Sequence, residues 1–303
     1  MKGSGEEAVW DIFRNPPPRR KGLGAPGDDA VVLRPPEGRE LIQTSDQLIE
    51  GVHLESDQPA ATYARKLLRR CLSDLAAAGA TPWAAQWTVA VPPARGKAWL
   101  LRLARAFRAE AEAFGMGVVG GDVSQAPVVV LSCTLLGLAN GPMPGRARLR
   151  GNELLAVTGR LGDAVASGRH RLPEPRLAEG RRLVERHAPR ALMDLSDGLA
   201  RDLPRLLGKG HGAVIELDAL PLAPGLAADP AGWAAAVGDG EDYELLVALP
   251  PRRAEAALAD PLLKKAGLRL IGRVDPTPGI RWRDPAGRDR RLGAGGWQYR
   301  WKG

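Results

Sequence analysis

The sequence predicts two domains that each combine strands with helices, as α/β and α+β folds do. Its 303 residues are enough for two domains of ordinary size. Apolar and alternating runs typical of strands occur in both halves, between segments with helical periodicity. Residues 137–145 contain two prolines and three glycines, and they are the best candidate for a linker between the halves.

Helices and strands alternate in the first half. Tyr63, Leu67, Cys71 and Leu75 recur every four residues, and this pattern predicts a helix at 62–78. A shorter helix at 6–13 ends before three consecutive prolines, which cannot continue it. The other predicted elements are a helix at 97–114 and strands at 30–33, 40–44, 87–91, 118–119 and 128–136.

The second half is predicted to begin with a strand followed by a helix. The apolar run at 153–158 predicts the strand, and the helix is expected after Gly162 and Asp163. Further apolar runs predict strands at 213–217, 243–249 and 268–274.

Composition limits the class of protein. Hydrophobic residues make up 44% and charged residues 26%, a balance typical of soluble globular proteins. The apolar run at 128–139 is too short to cross a bilayer, and no apolar signal segment follows the first residues. Cys71 and Cys133 lie far apart in apolar segments, so we expect reduced thiols and a cytoplasmic location.

The net charge of +8 raises the alternative of nucleic-acid binding, because basic proteins attract polyanions. The basic residues are spread along the chain, apart from short clusters such as 19–21 and 288–291. We therefore expect a solvated basic surface, with nucleic acid unlikely as a partner and no membrane partner. Such a surface would equally attract a small phosphorylated substrate.

Aspartates beside glycines or at strand ends are the strongest functional signal. Any one of them alone would be a turn former or a helix cap. Asp74 does not fit that interpretation, because on its predicted helix it shares the apolar face of Leu67 and Cys71. A carboxylate there must be paired, protonated or bound to a cation. The aspartates in such contexts are Asp28, Asp29, Asp46, Asp74, Asp122, Asp194 and Asp197.

A group of carboxylates favours magnesium and phosphoryl transfer. Magnesium takes hard oxygen ligands, and phosphoryl transfer depends mainly on alignment and charge neutralisation. Zinc is not expected, because the four histidines lack ligand spacing. No P-loop or protein-kinase catalytic loop is present, and residues 22–27 match G-x-G-x-x-G without a preceding strand or a following helix.

The motifs in this order resemble those of the thiamine-monophosphate kinase family. Each motif is weak alone, but the ordered set is highly specific and covers most of the chain from about residue 22 to 250. The matching segments are GDDAV at 27–31, TSDQLIEGVH at 44–53, LSDLAAAGA at 72–80, GGD at 120–122, VTGRLGDA at 157–164, DLSDGL at 194–199 and GEDYEL at 240–245.

This resemblance implies an α/β and α+β fold with the two-domain architecture of the aminoimidazole-ribonucleotide synthetase superfamily. Residues 1–139 would form an N-terminal domain that binds ATP and magnesium and dimerises, and residues 140–303 a C-terminal α+β domain. The implied activity is ATP-dependent phosphorylation of thiamine monophosphate to thiamine diphosphate. Mg2+ is the implied cofactor, and a homodimer is the implied assembly.

The resemblance also implies roles for individual residues at the matching positions. The implied magnesium ligands, direct or through water, are Asp29, Thr44, Ser45, Asp46, Asp74, Asp122, Asp194 and Asp197. The implied ATP contacts are Gly121, Asp122, Arg146 and Ser196. The implied contacts to thiamine phosphate are His53, Glu241 and Trp297. The residues expected to act in catalysis are Asp46, Asp122 and Arg146.

Three positions depart from the family pattern. Cys71 stands where asparagine is usual, Val123 where threonine is common, and Asp239 where glycine usually precedes the 240–245 motif. None of these changes removes an expected magnesium carboxylate. Asp239 adds negative charge near Glu241, where the substrate is expected.

Direct in-line transfer is the expected mechanism. It needs no general base, because a phosphate monoester oxygen is already largely anionic near neutral pH. Three alternatives stay open: another ATP-dependent synthetase of the same superfamily, a basic nucleic-acid-binding protein, and a degenerate, inactive relative, against which the retained aspartates argue. Selenophosphate synthetase is disfavoured, because the N-terminal glycine-rich segment contains no cysteine.

Overall fold

The chain forms two compact units. The computed structural model describes residues 5–14, 21–24, 30–292 and 295–298. Unit 1 comprises Met1–Leu75 and Ala80–Ala139, and unit 2 comprises Ala76–Gly79 and Asn140–Gly303. In the part of the chain that the structure describes, no helix has both the length and the apolar character needed to cross a bilayer.

Unit 1 contains a mixed sheet of four strands in its described part. The strand order is β1-β4-β2-β3. Strand β4 runs antiparallel to β1 and β2, whereas β2 and β3 are parallel. The strands are β1 (Leu41–Ile49), β2 (Thr81–Val91), β3 (Gly117–Gln125) and β4 (Val130–Leu138).

Helices cover one face of this sheet, because its strands alternate between apolar and polar side chains. The buried Trp87 of β2 stacks on Phe107 at 4.7 Å between ring centroids and meets the edge of Phe13 at 5.3 Å. Gln86 and Thr88 point the other way and are exposed. The helices of this unit are α1 (Gly5–Arg14), α2 (Ala60–Ala77) and α3 (Gly96–Ala113), with a 3-10 turn at Pro93–Arg95.

Unit 2 contains a sheet of seven strands in its described part, ordered β11-β10-β7-β9-β5-β8-β6. Neighbouring strands are antiparallel except for β7 and β10, which are parallel. The strands are β5 (Leu154–Val157), β6 (Ala191–Leu195), β7 (Gly212–Glu216), β8 (Glu244–Leu249), β9 (Arg269–Asp275), β10 (Gly279–Arg283) and β11 (Asp289–Arg290).

Both faces of this second sheet are buried. Leu155 and Val157 of β5 belong to one apolar cluster, and Ala156 between them belongs to another. This period of two places a helical layer on each face. The helices are α4 (Leu177–Arg182), α5 (Leu199–Leu207), α6 (Pro230–Gly238), α7 (Pro251–Ala259) and α8 (Pro261–Lys265), with 3-10 turns at Arg169–Arg171 and Leu217–Ala219 and a π turn at Leu183–His187.

The predicted fold class is confirmed, and two predicted elements are wrong. Residues 30–33 form no strand and contribute only an isolated bridge between Leu33 and Leu23. Gly162 and Asp163 have positive φ angles, 83° and 61°, so no helix starts at this pair. Residues 164–168 then form turns, and the positive φ of Gly168, 76°, prevents these turns from continuing as an α-helix.

A buried acid lies in the loop before strand β8 of unit 2. The side chain of Asp242 is 0% exposed and accepts hydrogen bonds from Arg169 at 2.7 Å and from the Gly162 amide at 3.1 Å. Burial raises the pKa of Asp242 to about 7, although the Gly162 amide and the Arg169 guanidinium oppose this shift. Its ionised form is therefore disfavoured in the folded protein.

We predict that Asp242 makes the folded protein less stable as the pH rises through about 7. The pKa of Asp242 is higher in the folded protein than in the unfolded chain. The contribution of Asp242 to the free energy of unfolding is therefore fully present below about pH 4 and is lost as the pH rises from about 4 to about 7. Asp242→Asn does not titrate. The free energy of unfolding of the native protein, minus that of the variant, should fall by at most about 1.4 kcal/mol per pH unit. Parallel pH profiles from denaturant titrations would contradict the prediction.

Candidate active site

In unit 1, the expected metal ligands meet where strand β1 faces helix α2. Thr44 and Asp46 lie two residues apart on β1, so their side chains share one face. The Thr44 hydroxyl donates a 2.6 Å hydrogen bond to Asp74 Oδ2. Arg70, one turn before Asp74 on α2, donates from Nε at 3.1 Å and from Nη2 at 3.2 Å to the two Asp46 carboxylate oxygens. These bonds therefore hold the Asp46 carboxylate, from β1, and the Asp74 carboxylate, from α2, within one turn of each other along α2.

Ser45 points to the opposite face of the sheet. Its hydroxyl donates to the Cys133 carbonyl oxygen at 3.1 Å and lies 3.2 Å from the Thr134 hydroxyl. Its side chain is therefore separated from the carboxylates of Asp46 and Asp74 by the sheet backbone. A metal ion on the α2 face would reach Ser45 only through a backbone atom.

Asp122 lies on β3, at the other edge of the same sheet. It pairs with Thr88 of β2, which pairs with Ser132 of β4, which in turn pairs with Gln47 of β1. Asp122 is exposed, and within the described residues it has no hydrogen bond or ion pair. It is three strand spacings, roughly 14 Å across the sheet, from the Asp46 position. One Mg2+, with ligands about 2.1 Å away, cannot bind both within this sheet.

The neighbouring Gly121 is required by strand packing. A Cβ atom at this position would lie 1.8 Å from the Trp87 carbonyl oxygen on β2. Only glycine allows this approach. Gly121 therefore has a structural role whether or not it contacts a nucleotide.

His53 lies in the turn that follows β1. Its Nδ1 accepts a 3.0 Å hydrogen bond from the Ile49 amide, so the proton of the neutral ring is on Nε2. The buried Lys66 of α2 donates to the His53 carbonyl oxygen. These contacts fix both the backbone and the ring of His53.

Glu50 anchors the same turn, and the sequence analysis missed it. Its carboxylate accepts hydrogen bonds from Tyr63 at 2.6 Å, Arg95 at 2.5 Å and the Val129 amide at 3.2 Å. Burial raises the pKa of Glu50, but the hydrogen bonds and the Arg95 charge outweigh burial and lower it overall. The sequence signal that could have identified Glu50 is an acidic residue placed directly after the apolar Ile49 and before Gly51.

In unit 2, strand β6 and the turn after it hold three of the expected residues. Asp194 lies on the strand and is 5% exposed. Ser196 and Asp197 form the turn, and their amides donate to Asp202 Oδ2 at 3.1 and 3.0 Å. Asp202 is buried on the apolar face of α5 beside Leu203. An acid on an apolar helix face is the pattern that singled out Asp74. The sequence analysis did not apply this pattern to α5 and missed Asp202. Burial raises its pKa, although the two amides and Arg205 oppose the shift.

Arginine side chains already balance the negative charge of the Asp197 carboxylate. Arg205 donates to Asp197 Oδ2 at 2.7 Å and to Asp202 Oδ1 at the same distance. Arg201 lies 3.7 Å from the same Asp197 oxygen. A cation that bound this carboxylate would compete with Arg205.

Two of the expected substrate residues, Glu241 and Trp297, lie against this turn. The Glu241 amide donates to the Ser196 carbonyl oxygen at 2.7 Å, and the Trp297 amide donates to the Asp197 carbonyl oxygen at 3.0 Å. Trp297 is 40% exposed. Unit 2 therefore brings together Ser196, Asp197, Glu241 and Trp297, although the first and the last are 101 positions apart in the sequence.

Arg146 lies in a loop beside β6 and α5. The carbonyl oxygen of Gly145 accepts from the Leu192 amide at 3.0 Å, and the Ala147 amide donates to the Leu206 carbonyl oxygen at 2.9 Å. The backbone on both sides of Arg146 is therefore fixed. Its side chain is exposed.

The donor chemistry suits magnesium, although the residues that the structure describes do not assemble a complete metal site. Within the described residues, no three His, Cys, Asp or Glu side chains are placed to bind one ion. Asp29 lies outside the described residues. In unit 1 the donors gathered at β1 and α2 are all oxygens, from Thr44, Asp46 and Asp74. Hard oxygen donors are the ligands that Mg2+ takes.

Comparisons with known proteins identify the family. The family described as "AIR synthase related protein, N-terminal domain" matches residues 27–139. A thiamine-monophosphate kinase of Synechococcus elongatus is 32% identical over 287 residues, which cover 85% of this chain and 86% of the relative.

Two solved structures share the fold. A thiamine-monophosphate kinase from Stenotrophomonas maltophilia K279a has a TM-score of 0.79 and 28% identity, and the match covers 91% of this chain and 95% of that chain. AaThiL complexed with AMPPCP and TMP has a TM-score of 0.72 and 23% identity, covering 98% of this chain and 92% of that chain. The sequence match to the Synechococcus relative over most of both chains confirms the prediction from the ordered motifs: this chain belongs to the thiamine-monophosphate kinase family.

Proposed function

We propose that this protein transfers the terminal phosphoryl group of ATP to thiamine monophosphate and releases thiamine diphosphate and ADP. The observation that carries the proposal is the match to the Synechococcus elongatus thiamine-monophosphate kinase over 86% of its length. The gathering of Asp46 with Asp74 in unit 1, and of Ser196 and Asp197 with Glu241 in unit 2, supports it. AMPPCP, an analogue of ATP, occurs together with TMP in the AaThiL complex.

The carboxylates of both units would hold magnesium. Thr44, Asp46 and Asp74 would contribute from β1 and α2, with Asp29 from the preceding segment, Ser45 through its backbone and Asp122 from β3. Asp194 and Asp197 would contribute from β6 and the turn after it. Bound magnesium neutralises triphosphate charge and aligns the phosphates for in-line transfer.

The chain's own cations would balance the remaining charge. Arg146 is exposed on a fixed backbone, so its guanidinium is able to bind nucleotide phosphate through two parallel hydrogen bonds. Ser196 and Gly121 would lie beside the nucleotide. The acceptor phosphate needs no general base, because its oxygens are already largely anionic near neutral pH.

Three residues would bind the thiamine phosphate. Trp297 offers a partly exposed aromatic ring that could stack on the thiazolium or pyrimidine ring. Glu241 offers a carboxylate for the cationic or amino groups of the vitamin. His53 presents its Nε2 side, because Nδ1 is engaged by the Ile49 amide.

We propose a homodimer formed through residues 1–139, the domain that would also bind ATP and magnesium. Strands β1 and β3 are the edges of the unit 1 sheet. If these edges meet between two copies, the partner's Asp122 would approach Asp46, which is not possible within one sheet. The free thiols of Cys71 and Cys133 agree with a cytoplasmic location.

The direct test is a product assay. Purified protein incubated with ATP, Mg2+ and thiamine monophosphate should yield thiamine diphosphate, resolved by chromatography. Unphosphorylated thiamine, the matched control acceptor, should give no phosphorylated product. Consumption of ATP without thiamine diphosphate would instead favour another ATP-dependent enzyme of the superfamily.

Asp122→Asn tests the magnesium assignment most cleanly, because this exposed side chain has no hydrogen bond or ion pair among the described residues. We expect turnover to fall by at least about 100-fold, since the variant loses charge where a metal should bind. The melting temperature should stay unchanged. Glu112→Gln, which neutralises an exposed acid on α3, is the control and should keep full activity. Full activity in Asp122→Asn would refute the assignment.

A further inference from the structure

The loop that carries Glu241 has a strained backbone. Glu241 and Tyr243 have positive φ angles, 67° and 53°, and neither is glycine. Side chains at such angles crowd the backbone, and an aromatic residue rarely adopts them. Asp242 lies between them and is buried. Such a conformation persists only where surrounding contacts impose it, so the contacts of Asp242 decide where Glu241 lies.

Arg169 supplies the largest share of these contacts. Its Nη2 donates to Asp242 Oδ1 at 2.7 Å and to the Gly162 carbonyl oxygen at 3.1 Å. Its Nη1 donates to the Asp242 carbonyl oxygen at 3.2 Å. The Gly162 amide donates to the Asp242 carboxylate at 3.1 Å. One guanidinium therefore joins the side chain and the backbone of Asp242 to the turn at Gly162.

The strained residues are tied on the other side to the turn after β6. The Glu241 amide donates to the Ser196 carbonyl oxygen at 2.7 Å, and the Tyr243 amide donates to the Leu195 carbonyl oxygen at 2.8 Å. The Tyr243 hydroxyl donates to Glu241 Oε1 at 3.1 Å. The loop is thus held between Arg169 and the segment that contains Ser196, and the Glu241 carboxylate has a defined position.

We propose that Arg169 is a positioning residue for the acceptor substrate: by fixing Asp242 it imposes the strained backbone that presents the Glu241 carboxylate beside Ser196. This inference rests on the proposed function for the identity of the acceptor, thiamine monophosphate. Arg169 is only partly exposed, and both of its terminal nitrogens already donate to Asp242 or Gly162, so we assign it an action through the loop and not a contact with substrate.

The kinetic test is Arg169→Ala, with Arg181→Ala as the matched control. Arg181 is also in unit 2, and its side chain is 48% exposed. We expect Arg169→Ala to raise KM for thiamine monophosphate between roughly 10- and 100-fold, as misplacement of a binding group does. KM for ATP should change less than about twofold, and Arg181→Ala should change neither. A fall in kcat with both KM values unchanged would overturn the proposal.

A double-variant experiment separates positioning from general damage. If Arg169 acts through Glu241, adding Arg169→Ala to Glu241→Gln should raise KM for thiamine monophosphate little further. Multiplication of the two single effects would contradict the proposal. Should Arg169→Ala fail to fold, Arg169→Lys keeps the charge but not the forked donor geometry, and it should show the same selective rise in KM.

Amide hydrogen exchange provides a readout that does not depend on activity. Exchange at Glu241 and Tyr243 should be faster in Arg169→Ala than in the native protein, while exchange at Leu246 in β8 stays slow. Unchanged exchange at Glu241 and Tyr243 would refute the positioning role. If the native protein makes no thiamine diphosphate, the proposed function fails, and the exchange measurement still decides the role of Arg169.

Discussion

Carboxylates withdrawn from water must be matched by donors or cations, and this constraint organises both units of the protein. Asp74 accepts a hydrogen bond from the Thr44 hydroxyl, and Asp242 accepts hydrogen bonds from Arg169 and a backbone amide. Asp202 accepts hydrogen bonds from two backbone amides and from Arg205. Each compensated acid fixes a loop or joins a helix to a strand. The residues expected to bind ligands are carried on these fixed segments.

Four of the acids fall into two groups with different tasks. Asp202 and Asp242 are buried and satisfied, so they shape the backbone around Ser196 and Glu241. Asp46 and Asp197 are partly exposed and paired with Arg70 and Arg205. An arginine beside a carboxylate balances its charge through hydrogen bonds, and a divalent cation could then take the place of the arginine. The proposed function assigns magnesium to the second group.

Sequence could predict the parts of the structure that local pattern determines. The apolar face of α2 singled out Asp74, and the ordered motifs gave the family. The same helical argument applied to Leu199, Leu203 and Leu206 would have found Asp202. Other features depend on contacts between distant residues. The bond from the Trp297 amide to Asp197, the strained loop at Glu241 and the separation of Asp122 from Asp46 follow from tertiary packing and strand order, which no local pattern encodes.

The central claim is that the aspartates hold magnesium for a bound nucleotide, and nucleotide-dependent thermal stability tests it most directly. At a concentration about 100 times its Kd, AMPPCP with Mg2+ should raise the melting temperature of the native protein by roughly 5 °C. AMPPCP with EDTA should give no such rise, and Asp46→Asn should respond to neither mixture. An equal rise in the native protein with and without Mg2+, or in Asp46→Asn, would contradict the account.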